Sequence, residues 1–232
     1  MQKHLLRIVI PDTCSEELRY VVSVIFNEFW GADYNLSIAE QAHVSISAKG
    51  CDVRVTIDTD FFSAAARNWL GSESLPELPL SSLNIQSYDF LKDLEFSELP
   101  ILFGSPKLTL SKNLIEVKFD IFGAIFFMLT RYEEYLQHDR DEHDRVKERL
   151  SIGHKAGFQT TPIVNHYLEV FWRILKRAGF SFERQTKSFK VEPTCDIDLP
   201  FDPAFNSFWF SIKNGARYFF DNQSLMQFSN NI

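Results

Sequence analysis

Residues 120–149 read DIFGAIFFMLTRYEEYLQHDRDEHDRVKER, and this run decides the fold. From Ile121 to Leu129 every residue except Gly123 is apolar, which leaves no polar face for water and predicts a helix buried on all sides. The run is too short to span a membrane, which takes about 20 apolar residues. Gly123 costs about 1 kcal/mol in a helix interior relative to alanine. We therefore expect another element to cross the helix closely at Gly123.

After Leu129 the pattern becomes amphipathic, which predicts one continuous helix over residues 120–137 that leaves the core and ends at the surface. Residues 138–149 then alternate acids with bases, and this pattern indicates a solvated loop held by ion pairs. Four of its side chains are of metal-binding types, but the bases between them would repel a cation: His138, Asp139, Asp141 and His143. A third interpretation is that four basic residues face a sugar chain or a second domain: Arg131, Arg140, His143 and Arg145.

The rest of the chain alternates short β-prone runs with helical patterns. Apolar spacing predicts helices over residues 16–29 and 162–178, with a further short helix within 61–70. Strands are predicted at residues 5–10, 43–48, 53–57, 99–103, 107–110, 114–119, 180–182 and 189–191. The turn Lys49-Gly50-Cys51-Asp52 joins the second and third of these as a hairpin. The fold class is α/β, a mixed sheet with helices packed on it, with α+β as the alternative.

Composition limits the classes of partner. The net charge of −7 would repel duplex DNA, and no basic run compensates for it, so no nucleic-acid partner is expected. Polysaccharide, small-molecule and protein partners stay open. Three cysteines, an odd number, fit no disulfide framework, and residues 1–12 lack the long apolar run of a signal peptide. These two features predict a cytoplasmic location.

Residues 194–198, Thr-Cys-Asp-Ile-Asp, are the most informative candidate site. A predicted strand at residues 189–191 would deliver Asp196 and Asp198 at its carboxyl end, where α/β enzymes place catalytic groups. In an extended segment the two carboxylates would lie on one side, about 6 to 7 Å apart. Such a pair suits a metal ligand beside a general base. The alternative is a turn in which aspartate caps the next element before Pro200.

Residues 120–143, followed by Pro162-Ile163-Val164-Asn165 and by the segment 194–198, resemble polysaccharide-deacetylase-like proteins of the Bacteroidetes type. In these proteins an uncharacterised N-terminal domain precedes a deacetylase domain that opens on a strand ending in Thr-x-Asp. The resemblance implies that Asp196 is the general base and Asp198 a metal ligand. The family pattern has adjacent aspartates whereas Ile197 intervenes here, so the two roles could be exchanged.

Two departures from that family limit the expected activity. The family's metal site takes two histidines downstream, and no histidine follows His166. Only residues 199–232 follow Asp198, whereas a (β/α) barrel takes roughly 200 residues or more. We therefore expect residues 1–192 to form an N-terminal accessory domain and 193–232 to begin a truncated deacetylase-like domain. A divalent, zinc-like metal is expected only in a longer protein, with no cofactor for this chain, which is expected to be inactive as a deacetylase.

The expected partner is a polysaccharide or the missing C-terminal domain. Aromatic residues between Phe205 and Phe220 would pack on that domain and, when exposed, cause self-association. The rival interpretation is a non-catalytic carbohydrate- or protein-binding module. A further alternative is a metal-dependent nuclease-like domain, since Glu116-Val117-Lys118 on a predicted strand resembles half of such a site. Plasmid cleavage with Mg²⁺ that is lost in Glu116→Ala would be needed to support the nuclease.

Overall fold

The computed structural model describes residues 5–185, 188–196 and 212–213, and a six-stranded mixed sheet is its central feature. The strands are β1 (Leu6–Pro11), β2 (Tyr34–Ala39), β3 (His43–Ala48), β4 (Arg54–Asp58), β5 (Ser81–Asn84), β6 (Glu98–Ile101), β7 (Gly104–Leu110) and β8 (Leu114–Phe119). The sheet order is β2-β1-β3-β4-β8-β7, and β5 and β6 form a separate antiparallel pair. The mixed sheet with helices packed on it is thus confirmed, and it is consistent with an α/β or α+β fold.

Two parallel pairs are built into this sheet. Strand β1 runs parallel to β2, and β4 runs parallel to β8. The remaining neighbours are antiparallel, including the predicted hairpin of β3 and β4, where Gly50 adopts a φ of +86°. A positive φ is readily available to glycine alone among the residues of that turn. The carboxyl ends of β4 and β8 therefore lie side by side at one edge of the sheet.

Six α-helices are described: α1 (Ser15–Ser23), which continues as a π-helix over Val24–Phe29, α2 (Asp60–Arg67), α3 (Ile121–Leu129), α4 (Glu133–Leu136), α5 (Ile152–Lys155) and α6 (Ile163–Arg177). Helix α3 contacts α1, α2 and α6. All seven residues from Ile121 to Phe127 are buried, which confirms the predicted core helix. Among the helices of the described residues, none is long and apolar enough to cross a bilayer.

The close crossing predicted at Gly123 is also confirmed. A Cβ atom at this position would lie 2.5 Å from the Cβ of Phe61 in α2 and 2.3 Å from Oδ2 of Asp120. Real Cβ atoms do not approach other atoms so closely, and only glycine fits. The glycine therefore lets α2 pack directly on the first turn of α3.

The prediction of one helix over residues 120–137 is wrong, because α3 ends at Leu129 and α4 begins at Glu133. The amide of Tyr132 donates to the carbonyl of Phe127 at 3.1 Å, and that of Arg131 donates to Met128 at 3.4 Å. The two side chains Tyr132 and Phe127 pack with ring centroids 5.7 Å apart. These are the contacts of a Schellman motif, which usually has glycine at the position that Arg131 occupies, here with a φ of +53°. Because arginine stands where glycine usually marks a helix end, no local sequence signal predicts that α3 ends here.

Four strand assignments also differ between the sequence and the structure. Strands β2 and β5 were not predicted: the sequence of β5, Ser-Ser-Leu-Asn, has no strand pattern, whereas that of β2, Tyr-Asn-Leu-Ser-Ile-Ala, alternates apolar and polar residues and could have been identified. The strands predicted at residues 180–182 and 189–191 are wrong, because both segments lie outside regular structure. Phe189 is 94% exposed, and three residues of alternating polarity are too few to specify a strand.

The chain divides into two compact units, residues 1–186 and 187–232. The first unit contains all the strands and helices named above. In the second, residues 188–196 are exposed and have no regular structure. The boundary at residue 192 stays a prediction, and the aromatic segment between Phe205 and Phe220 lies outside the described residues.

Candidate functional site

A small surface pocket of about 270 Å³ lies where α3 gives way to α4. Five residues line it, and we call it the arginine pocket: Thr130, Arg131, Glu134, Tyr135 and Arg140. Two of the four basic residues predicted to face a ligand, Arg131 and Arg140, are thus brought together. The pocket combines two guanidinium groups, one carboxylate and an aromatic ring that is 71% exposed.

Backbone geometry fixes the positions of both arginines. Arg131 has the left-handed φ of the Schellman motif, and its Nε donates to Oε1 of Glu134 at 2.7 Å. Nη2 of Arg140 donates to the backbone carbonyl of Glu134 at 2.6 Å. Glu134 therefore holds both guanidinium groups, one through its side chain and one through its main chain.

The loop after α4 is held by ion pairs, as its alternating charges predicted. Oδ1 of Asp141 accepts from the amides of His143 and Arg145, each at 2.9 Å, and its Oδ2 accepts from the Arg145 guanidinium. These bonds, with that of the Arg145 amide first, lower the pKa of Asp141. Arg140 also forms an antiparallel bridge with Val146. The loop is an ordered hairpin that presents Arg140 to the pocket.

Several other charged side chains of this loop pair with one another and do not line the pocket. Asp139 accepts from Lys147 and, at 3.2 Å, from Arg149, and the hydrogen bond from Lys147 is the main reason that its pKa is lowered. Arg145 is bound to Asp141, and the imidazole of His143 lies 3.4 Å from the carboxylate of Glu142. His143 and Arg145 therefore do not line the pocket, and that they face a ligand or a second domain stays a prediction.

The other carboxylate of α4, that of Glu133, accepts a hydrogen bond from the first residue of α5. Oε2 of Glu133 accepts from the amide of Ile152 at 2.7 Å. Burial raises the pKa of the Glu133 carboxyl, and the hydrogen bond from Ile152 acts against that rise. Because Glu133 is turned toward α5, it adds no direct contact to the arginine pocket, and Glu134 is the carboxylate that lines it.

A second polar cluster lies at the carboxyl ends of β4 and β8. Nζ of Lys118 is 3.1 Å from Oε1 of Glu116 and 3.8 Å from Oδ1 of Asp58. Burial, followed by the nearby charge of Asp58, raises the pKa of Asp60. Glu116 and Lys118 lie on one face of β8, as the nuclease alternative requires, but the lysine is paired with both carboxylates. Within residues 5–185, 188–196 and 212–213, no three His, Cys, Asp or Glu side chains are arranged to hold a metal ion.

Asp120 lies just beyond this cluster and is completely buried. Its Oδ1 accepts from the amide of Gly123 at 2.6 Å and its Oδ2 from the amide of Phe61 at 3.0 Å. One carboxyl group therefore caps the first turns of α3 and α2 together. Burial raises the pKa of this carboxyl to about 8, while the two amide hydrogen bonds act in the opposite direction.

Sequence reasoning missed Asp58, Asp60 and Asp120 as a group. Asp58 and Asp60 follow directly after the predicted strand at residues 53–57 with the same Asp-x-Asp spacing that drew attention to residues 196 and 198. That spacing could have identified them. Their proximity to residues 116–120 depends on the parallel pairing of β4 with β8, which no local pattern reveals.

A third polar concavity, of about 590 Å³, borders the first turns of α6. The imidazole of His166 stacks on Phe96 with ring centroids 3.8 Å apart, and burial lowers the pKa of this histidine. The guanidinium of Arg173 is 2.7 Å from Oδ2 of Asp93, and that of Arg184 pairs with Glu169. The basic groups on its rim are thus already neutralised.

The predicted catalytic pair is not assembled in the described residues. Asp196 is exposed in the irregular segment 188–196, so the strand that was to deliver it is absent there. Asp198 lies outside the described residues. The roles of general base and metal ligand therefore stay predictions.

The fold and these pockets define a mixed-sheet domain with polar surface sites, and comparison with known proteins assigns it to a family. The chain belongs to DUF7033, a family of unknown function whose model matches residues 6–180. This match agrees with the uncharacterised N-terminal domain that the resemblance predicted, and it carries no statement about a deacetylase. No curated protein and no solved structure matches the chain.

Proposed function

We propose that the N-terminal region is a non-catalytic accessory domain of a carbohydrate-deacetylase-like protein and that it binds polysaccharide at the arginine pocket. One observation carries the binding role: the exposed ring of Tyr135 lies beside two guanidinium groups in a pocket with an ordered frame. The resemblance of residues 120–143 supports the connection to carbohydrate deacetylases.

The chemistry of the pocket suits a hydroxyl-rich ligand. A guanidinium group carries several N–H donors in a fixed plane, and the bonds to Glu134 use one donor of Arg131 and one of Arg140. Among the described residues, the other donors of both groups have no acceptor. An exposed tyrosine offers an apolar ring face with a polar end. A sugar ring, which has an apolar face and equatorial hydroxyls, fits this combination.

Arg140→Ala is expected to weaken binding of an N-acetylglucosamine oligomer about tenfold, because a hydrogen bond from a charged group contributes about 1.5 kcal/mol or more. Isothermal titration calorimetry on the wild type and the variant measures this change. Arg19→Ala is the control, since it removes an exposed arginine from α1, outside the arginine pocket. Equal affinities of wild type and Arg140→Ala would contradict the assignment of the pocket.

The chain is expected to release no acetate from an acetylated sugar oligomer. A catalytic zinc ion normally has three protein ligands and an open position, and the pair Asp196 and Asp198 supplies only two carboxylates. This pair alone therefore does not fit a catalytic zinc site. An acetate-release assay with added Zn²⁺ tests the expectation, and turnover by the purified chain would refute it. A native product heavier by a domain than 27.0 kDa would support the link to a deacetylase.

A further inference from the structure

Arg131 occupies a backbone position that disfavours its side chain. Its φ of +53° is left-handed, a conformation that glycine adopts freely and that other L-residues adopt at an energetic cost. In the Schellman motif this position follows the last residues of the helix and is usually glycine. Glycine at residue 131 would end α3 with less strain.

The contacts of the Arg131 side chain do not compensate for this strain. The side chain is 72% exposed, and its Nε lies 2.7 Å from the carboxylate of Glu134. Exposed pairs of this kind contribute little to stability. The arginine thus makes little contribution to the fold, although its guanidinium is held at the pocket.

Charge at the pocket is unbalanced. Arg131 and Arg140 face the single carboxylate of Glu134, which leaves one positive charge in excess. Of the acids around the pocket, Asp139 is paired with Lys147 and Arg149, Asp141 is paired with Arg145, and the Glu133 carboxylate accepts from Ile152 in α5. A guanidinium presents two parallel N–H groups to a carboxylate, and this bidentate geometry makes arginine selective for planar oxyanions.

We propose that the arginine pocket binds the carboxylate of an acidic sugar, with Tyr135 against the sugar ring. This inference rests on the proposed function and specifies its ligand as a polysaccharide that contains uronic acids. Arg131 supplies charge and donors at a position where the fold alone would favour glycine. The residue therefore stabilises the complex more than it stabilises the free domain.

The test compares trigalacturonate with its methyl ester, which has the same sugar rings without the charges. Calorimetry is expected to show that the acid binds at least tenfold more tightly than the ester. Arg131→Gly is expected to weaken binding of the acid about ten- to a hundredfold and to raise the Tm by about 2 to 4 °C as the strain is relieved. Arg140→Ala should weaken binding without raising the Tm, and Arg19→Ala should change neither.

Each outcome decides between the two proposals. Equal binding of acid and ester would overturn the acidic ligand and leave polysaccharide binding in place. Binding of the N-acetylglucosamine oligomer without binding of trigalacturonate would likewise overturn only the acidic ligand. If no sugar bound, both the acidic ligand and polysaccharide binding would be overturned. Inorganic phosphate that binds as tightly as trigalacturonate would mean that the pocket takes a free anion. A Tm that does not rise in Arg131→Gly would refute the strain argument.

Discussion

Asp120→Ala is expected to lower the free energy of unfolding by about 2 to 5 kcal/mol, because one buried carboxyl caps two helices. Loss of a cap typically costs about 1 kcal/mol, and a buried amide left without an acceptor costs about 1 to 3 kcal/mol. The substitution leaves two such amides, those of Phe61 and Gly123. Urea unfolding followed by circular dichroism measures the change.

Ser151→Ala is the control for this substitution. Ser151 accepts from the amide of His154 at 3.2 Å at the start of α5, in an exposed setting. Water can replace that bond, so the expected loss is below about 1 kcal/mol. An equal loss in the two variants would mean that burial and the double cap of Asp120 add nothing.

Asp120→Asn removes the ionisable carboxyl group and keeps a side chain of nearly the same size and shape. The pKa of Asp120 in the folded protein is about 8, above the value near 3.9 of an unfolded chain. The folded state then holds a proton that the unfolded state has released between about pH 4 and pH 8. Stability of the wild type relative to Asp120→Asn should therefore be greatest below about pH 4 and fall as the pH rises toward 8.

Unfolding of both proteins in urea between pH 4.5 and 8.5 measures this difference. The charges of Asp60 and Asp58 act on this carboxyl and are present in both proteins, so their direct contributions largely cancel in the comparison. A difference that stays constant across this range would show that Asp120 does not change its ionisation there and that the two amide hydrogen bonds offset its burial.

Gly123→Ala is expected to destabilise the protein by about 2 kcal/mol, although alanine is the better helix former by about 1 kcal/mol. The added methyl group would lie 2.3 Å from Oδ2 of Asp120 and 2.5 Å from the Cβ of Phe61. Relieving both contacts would push α2 away from α3. It would also lengthen the hydrogen bonds that Asp120 accepts from the amides of Phe61 and Gly123. Overpacking of this kind typically costs about 1 to 3 kcal/mol, and disturbance of the caps adds to it.

Gly153→Ala is the matched control, because Gly153 is also buried in a helix. Its added Cβ would lie 3.4 Å from the nearest atom, the Cα of Gln159, so the neighbour need hardly move. Thermal unfolding should show an unchanged or slightly raised Tm for Gly153→Ala and a lowered one for Gly123→Ala. A raised Tm in Gly123→Ala would show that the close crossing is not rigid.

Sequence reasoning succeeded where a pattern extends over many residues. The apolar run of α3, the stripe of α6 and the turn between β3 and β4 each carry a local signal that the packed structure preserves. It failed at the end of α3, where arginine replaces the glycine that marks such ends. The pairing of β4 with β8, which are distant in the chain, leaves no local pattern either. That pairing brings Asp120 close to α2, so its carboxyl group was not recognised as the cap of two helices.

The candidate site was predictable in part for the same reasons. Arg131 and Arg140 were identified from their charge beside an apolar helix. Glu134 and Tyr135 were assigned only to faces of a helix that the structure breaks, so their place in the pocket could not be foreseen. A pocket at a helix end depends on where the helix ends, and the pattern predicts that end at residue 137 whereas α3 ends at Leu129.

The parallel pairing of β4 with β8 also bears on the order in which the molecule folds. The hairpins β3–β4 and β7–β8 join segments that are close in the chain, whereas pairing β4 with β8 must close the loop of residues 59–113. Closing a long loop carries an entropic penalty that local hairpins avoid, and it slows folding. Because Asp58 and Lys118 meet only across this junction, their ion pair forms when the sheet becomes continuous, and a partly folded intermediate lacks it.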